Sequence, residues 1–243
     1  MKKAFLIVII FYLCCLNSQA QQGPRFSQFM LNKTYWSPAL VGLDSKTNVR
    51  LFSRSQWSGY SASFDKAGKA PVTQYLSFEL PVLIKKQKLG FGVNLIHDEL
   101  GVEKNVAVQA SLSWHKKIRK GQLSFALRPE LINQTIGFND LIFVDNEDPF
   151  AINEQQTMSV FDMGMGLAFS STELVIGLGL NHLLRPNMSH LALGEGQAKK
   201  KISANLYAEY NYRITYKVDI KPSILVTTNI DAFTLDLGFI STY

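Results

Sequence analysis

From about residue 71 to residue 243 the chain alternates apolar and polar or small residues, segment after segment. Side chains that alternate with a period of two belong to strands whose faces meet different environments; a helix would need apolar residues three and four apart. Val106, Val108, Ala110, Leu112 and Trp114 share one face, with Asn105, Ala107, Gln109, Ser111 and Ser113 on the other. Leu89 to Leu95, Leu123 to Arg128, Phe161 to Ser170, Leu174 to Asn181, Ile202 to Tyr212, Tyr216 to Val226 and Phe233 to Phe239 follow the same rule. Counted from Asn48, the pattern predicts about ten strands.

Two architectures use such strands. A soluble sandwich buries its apolar faces against each other, whereas a transmembrane barrel turns them to lipid and its polar faces to the lumen. Three features favour the barrel. The runs are about ten residues long, as a tilted membrane-crossing strand requires. The second face is rich in Gly, Ser, Asn and Ala, and Gly164, Gly166, Gly177 and Gly179 read as residues that let a sheet curl. Trp57, Tyr75, Trp114, Phe169, Tyr212 and Tyr216 lie near strand ends, where interfacial girdles are expected. The predicted fold class is therefore all-β, an antiparallel outer-membrane barrel. Turns are expected at Lys85–Lys88, Lys116–Lys120, Ser170–Ser171 and 213–215, with longer loops over 137–156 and 184–200.

The N-terminus supports export. Met1-Lys2-Lys3 is basic, Ala4 to Leu16 is apolar, and Ser18-Gln19-Ala20 places small residues before Gln21, as in a cleaved signal peptide. Its apolar stretch is too short for a permanent helix, which needs about 20 residues. Tyr12 and Leu13 are not the small residues of a lipoprotein site. Both cysteines, Cys14 and Cys15, lie in this leader, so residues 21–243 offer no disulfide, cysteine metal site or thiol nucleophile. The domain reading is a signal peptide over 1–20, a plug or rim segment over 21–46 and a barrel over 47–243.

The formal charge of +6 is scattered. Its densest clusters, Lys85–Lys88, His115–Lys120 and Lys199–Lys201, fall between strand-like runs, where charged loop tips are expected. With no basic face and no known module, nucleic acid is not an expected partner.

Chemistry is sparse. His97, His115, His182 and His190 show no metal-binding spacing. His97-Asp98-Glu99 is the nearest approach to a catalytic cluster, and a barrel lipid hydrolase would pair it with a serine across the lumen; with no nucleophile context visible, a strand end that opens a turn with Gly101 is the favoured reading. Asp145-Asn146-Glu147-Asp148 lacks the spacing of a calcium loop. Gly90-Phe91-Gly92 lacks the third glycine of a dinucleotide fingerprint and sits within a strand. No enzyme activity, metal or cofactor is expected.

Five short stretches occur in a characteristic order: Arg25-Phe-Ser-Gln-Phe-Met-Leu-Asn32, Ser37-Pro-Ala-Leu-Val-Gly42, Arg54-Ser-Gln-Trp-Ser-Gly-Tyr60, Leu89 through His97-Asp98 to Gly101, and Asn181-His-Leu-Leu-Arg-Pro186. In this series the chain resembles the PorP/SprF family of Bacteroidetes outer-membrane proteins. The resemblance implies a barrel of the type IX secretion and gliding machinery that assists export or surface retention of large adhesins. It implies as partners other machine components, an OmpA-like peptidoglycan-binding protein, an adhesin client and outer-membrane lipid. Family members usually continue for several more strands, so the resemblance also implies a C-terminally shortened chain and puts barrel closure in question. A small outer-membrane porin or nutrient channel is the alternative function, and a soluble periplasmic sandwich the alternative fold. The residues singled out for structural or partner contacts are Arg54, Gln56, Trp57, Asp98, His182 and Pro186, with Arg54 and Gln56 pointing inward to the plug and Trp57 at the membrane interface.

Overall fold

A computed structural model of the chain describes residues 23–57, 59, 70–138, 154–188, 199–229 and 232–242. The leader and the acidic stretch 145–148 lie outside the described residues.

One antiparallel sheet dominates. Its strands are β1 (Asn48–Ser55), β2 (Val72–Ile84), β3 (Gln87–Leu100), β4 (Glu103–Ile118), β5 (Gly121–Gly137), β6 (Gln155–Ser170), β7 (Leu174–Asn181), β8 (Ser203–Tyr210), β9 (Tyr212–Thr215), β10 (Val218–Thr228) and β11 (Phe233–Thr242). Neighbours in sequence are neighbours in space, except that β8 and β9 both pair with β10. The two are one strand interrupted at Asn211, which reconciles eleven elements with the ten runs read from the alternation. The turn expected at 213–215 instead falls on Tyr216–Lys217, because Arg213 to Thr215 pair with β10. The Arg213 guanidinium meets Asp219 at 3.0 Å across that hairpin.

β2 to β6 run 13 to 17 residues, long enough for a tilted crossing of a bilayer's hydrocarbon core with residues to spare. The sheet ends at β1 and β11, and no ladder joins these two among the described residues.

The two faces are inverted relative to a soluble protein. Leu112, Leu127, Leu131, Phe161 and Leu167 point outward and are 42–58 % exposed, whereas Ser77, Glu79, Asn94, Arg128, Glu130 and Asp162 point inward and are buried. In water such an outer surface would be an aggregation site; in lipid it is the solvent-matched face. Among the described residues no helix is long and apolar enough to cross a membrane, so any crossing falls to the strands. Leu127→Arg, on the outer face of β5, is expected to destabilise the lipid-inserted state by about 2–4 kcal/mol if it sits near the bilayer midplane. Denaturant-dependent folding into vesicles measures this.

The inner face is filled by the chain itself. Residues 23–44 form a plug of short helical turns, Phe29–Asn32, Lys33–Trp36 and Pro38–Leu40, in which Phe29, Trp36, Ala39, Leu40 and Val41 are buried. Tyr75 belongs to this interior. The sequence placed it in an interfacial girdle; it is fully buried, stacks edge-on to Tyr35 at 5.7 Å and donates to Asn94 Oδ1 at 2.9 Å. Strand parity puts Tyr75 on the same face as Ser77 and Glu79, and proximity to a strand end cannot override parity. Trp57, Trp114, Tyr212 and Tyr216 do face outward or lie exposed at strand ends.

Candidate functional site

The inward Gly90, Gly92, Gly166, Gly177 and Gly179 are explained by the plug, whereas Gly164 lies against the Leu180 carbonyl of the neighbouring strand. A Cβ on Gly166 would lie 2.9 Å from the Ala39 nitrogen, and one on Gly177 would lie 2.9 Å from both Ser37 Cβ and Leu40 Cδ1. Side chains at Gly90 and Gly179 would run into the carbonyl oxygens of Val41 and Trp36. These glycines admit the backbone of a second layer, a more specific role than easing sheet curvature.

Polar groups then clamp that backbone. Ser37 Oγ donates to Leu178 O at 3.0 Å, Ser113 Oγ to Val41 O at 2.7 Å and Lys88 Nζ to Leu43 O at 2.5 Å. His115 Nε2 lies 2.9 Å from Val41 O, while its Nδ1 lies 2.7 Å from Ser124 Oγ. Donation by Nε2 leaves Nδ1 to accept the serine proton, so a neutral ring satisfies both contacts. Thr34 Oγ1 donates to Glu79 Oε1 at 2.7 Å, and Arg50 on β1 pairs with the same carboxylate.

The plug reaches both edges of the sheet. On the β1 side Arg54 donates to Arg25 O at 2.7 Å and Phe26 packs on Phe52. On the β11 side Phe29 and Met30 lie against Gly238. Gln56 donates its backbone N–H to Pro71 O at 3.0 Å, and Trp57 is 66 % exposed with a left-handed backbone.

A second assembly secures the connection after β7. Arg128, 2 % exposed, donates to Tyr35 O at 2.7 Å and to Asn181 Oδ1. One guanidinium therefore ties plug, wall and connection together, which its planar fork of donors suits. Asp162 is fully buried and receives the amides of Met163 at 2.7 Å and Leu184 at 3.3 Å on one oxygen; its other oxygen meets His182 Nδ1 at 2.6 Å. His182 and Arg185 take left-handed backbone, φ 58° and 51°, uncommon for such residues. Pro186 is buried, and its carbonyl accepts from Lys200 N at 3.0 Å. Asp162→Ala is expected to leave two amides and His182 without their acceptor and to cost about 1–3 kcal/mol. Faster tryptic cleavage after Lys200, whose amide is bound to the Pro186 carbonyl of this turn, is the readout.

Asp162 also ends a transverse ladder. Asn94, Gln109, Glu130 and Asp162 are direct cross-strand partners. Asn94 Nδ2 donates to Gln109 at 3.1 Å and Gln109 Nε2 to Glu130 at 3.0 Å. Ligand atoms of Glu130, Asp162 and His182 lie within 4.8 Å of one another. A metal fits this set poorly, because both Asp162 oxygens, His182 Nδ1 and Glu130 Oε1 are already engaged and the Lys200 ammonium already acts on Glu130 and Asp162 through space.

Above the ladder lies a cavity of about 490 Å³, lined by Asp98, Glu103, Arg128, Glu130, His182 and Lys199–Lys201 among others. The three lysines, expected at a solvated loop tip, are turned to this cavity. Asp98 accepts from Thr73 Oγ1 at 2.5 Å. The neighbouring His97 and Glu99, 3.3 Å apart, occupy the opposite parity of β3, so alternation separates the His-Asp-Glu run and turns His97 away from the lumen. The arrangement imagined for a lumenal hydrolase is therefore not formed.

The five sequence stretches thus meet: two form the plug, one ends β1 at Arg54, one supplies β3, and one is the Asp162-bound turn. Missed from sequence were Arg128, Glu79, Asp162 and His115, whose signal was only a bulky polar residue on an otherwise small inner face.

A family model described as "Type IX secretion system membrane protein PorP/SprF" matches residues 18–243. No curated protein matches, and no solved structure matches.

Proposed function

The chain belongs to the PorP/SprF family of type IX secretion system membrane proteins, and from that premise we propose that it is an outer-membrane β-barrel component of the secretion and gliding machinery, exported by a cleaved leader, which assists export or surface retention of large adhesins. It works as a docking body and not as an enzyme. The observation that carries this reading is the plug: residues 23–44 fill the sheet's inner face and are clamped from β1 to β11, which suits a scaffold better than an open solute channel.

The ends of the sheet differ. Turns of two or three residues join β2–β3, β4–β5 and β6–β7 at one end, while the strand ends flanking the longer connections β1–β2, β5–β6 and β7–β8 lie at the other. Short turns face the periplasm in bacterial barrels and long loops face outward. Other machine components and an OmpA-like peptidoglycan-binding protein are the proposed partners at the short-turn rim, with the adhesin client at the long-loop rim.

Deleting the gene tests the proposal. Loss of specific surface proteins with unchanged uptake of small solutes is expected; impaired uptake with an intact surface proteome would overturn it in favour of a porin. Partner capture from detergent-solubilised membranes of the native strain should recover secretion components, and recovery of abundant porins alone counts against it.

A further inference from the structure

The cavity at the long-loop end carries more charge than plug support requires. Its 490 Å³ volume falls within the range of small-ligand sites. β3, β4 and β5 bring Asp98, Glu103 and Glu130 to it, and the connection before β8 brings Lys199 and Lys200. These opposite charges do not collapse onto each other. Neutral donors hold the carboxylates to the wall: Thr73 on Asp98, Asn105 and Gln134 on Glu103, both at 2.6 Å, and Gln109 on Glu130. Among the described residues, no ion pair within 4.0 Å joins Lys199 or Lys200 to these carboxylates. Burial pulls the Lys200 ammonium below its ordinary pKa, opposed by the more distant charges of Glu130, Asp162 and Glu103. Both signs of charge therefore face one partly desolvated space, where each is worth more to a ligand than at an open surface.

We propose that this cavity binds a dipolar ligand bearing an ammonium and a carboxylate, the ammonium against Glu130 and the carboxylate against Lys200. Two sources share that chemistry: a free peptide with charged termini, or a polypeptide segment carrying acidic and basic side chains. The inference goes beyond the secretion reading and does not depend on it.

Calorimetry on the full chain in detergent tests it with four probes. These are trialanine with free termini, its N-acetyl form, its C-terminal amide, and a pentapeptide blocked at both ends with internal Glu and Lys. Saturable binding of free trialanine or of the blocked Glu/Lys pentapeptide is expected. If trialanine binds, acetylation and amidation should each weaken it tenfold or more. Lys200→Gln should weaken the carboxylate-bearing probes tenfold and leave the amide form unchanged; Glu130→Gln, which keeps an acceptor for Gln109, should weaken the ammonium-bearing probes tenfold and leave the N-acetyl form unchanged. Tighter binding of trialanine identifies a solute source, and tighter binding of the pentapeptide a polypeptide source. Equal binding of free trialanine and of its acetylated and amidated forms, or no binding of either charged probe at millimolar concentration, overturns the proposal. Retained heat-modifiable gel migration of each variant separates lost binding from lost folding. Failure here would leave the deletion phenotype untouched, so the two readings fail separately.

Discussion

Gly179→Val should release the plug from the wall while leaving the sheet itself paired. The added side chain would meet the Trp36 carbonyl, a backbone group that cannot rotate away, with Ser37 Cα a further 3.2 Å contact. Overpacking against a fixed backbone costs about 1–3 kcal/mol or more, and the plug can escape that cost only by lifting off. Lifting exposes Lys33, whose side chain is 14 % exposed and held near Asp44 at 3.4 Å. Proteolysis follows the population of the opened state, and about 1.4 kcal/mol corresponds to a factor of ten. Trypsin cleavage after Lys33 is therefore expected to accelerate at least tenfold, with Leu178→Val, on the outer face of the same strand, close to the parent. Unchanged cleavage in Gly179→Val would mean that the plug does not depend on this close approach.

Arg128→Met should loosen two regions at once. The Tyr35 carbonyl and the Asn181 side-chain oxygen would both lose a charged donor. Hydrogen bonds to charged groups contribute about 1.5–3 kcal/mol each, so a loss on the order of 3 kcal/mol is expected. Tryptic cleavage after Lys33 in the plug and after Lys200 in the β7–β8 connection, whose amide is held by Pro186 O, should rise together, unlike Gly179→Val, which acts on the plug. Arg128→Lys should recover only part of the loss, because one ammonium cannot reproduce a planar fork serving two acceptors. Independent responses of the two cleavage sites would deny that Arg128 couples them.

Much of the fold was legible because parity is local. Val106 to Trp114 and Phe161 to Ser170 declare their faces within ten residues, and the structure keeps those assignments. Errors arose where a property other than parity was used. Tyr75 was placed by its nearness to a strand end, and Arg213 to Thr215 by their spacing between runs. The site was less legible because its contacts are remote in sequence. Asp162 and His182 are 20 residues apart, Arg128 and Tyr35 93, and Ser37 and Leu178 141. The inward glycines were visible, but the backbone that fills their space comes from the plug, which no periodicity within the strand reveals.

The sheet is inverted, apolar outside and polar inside around a plug. The native tryptophans test it directly, because Trp114 points outward from β4 and Trp36 is buried in the plug. Each is kept as the sole tryptophan by Trp→Phe changes at the other two positions, and the variants are folded into vesicles containing brominated lipid. Strong quenching of Trp114 with little effect on Trp36 is the predicted result. Equal quenching of both, or quenching of Trp36 alone, would contradict the account.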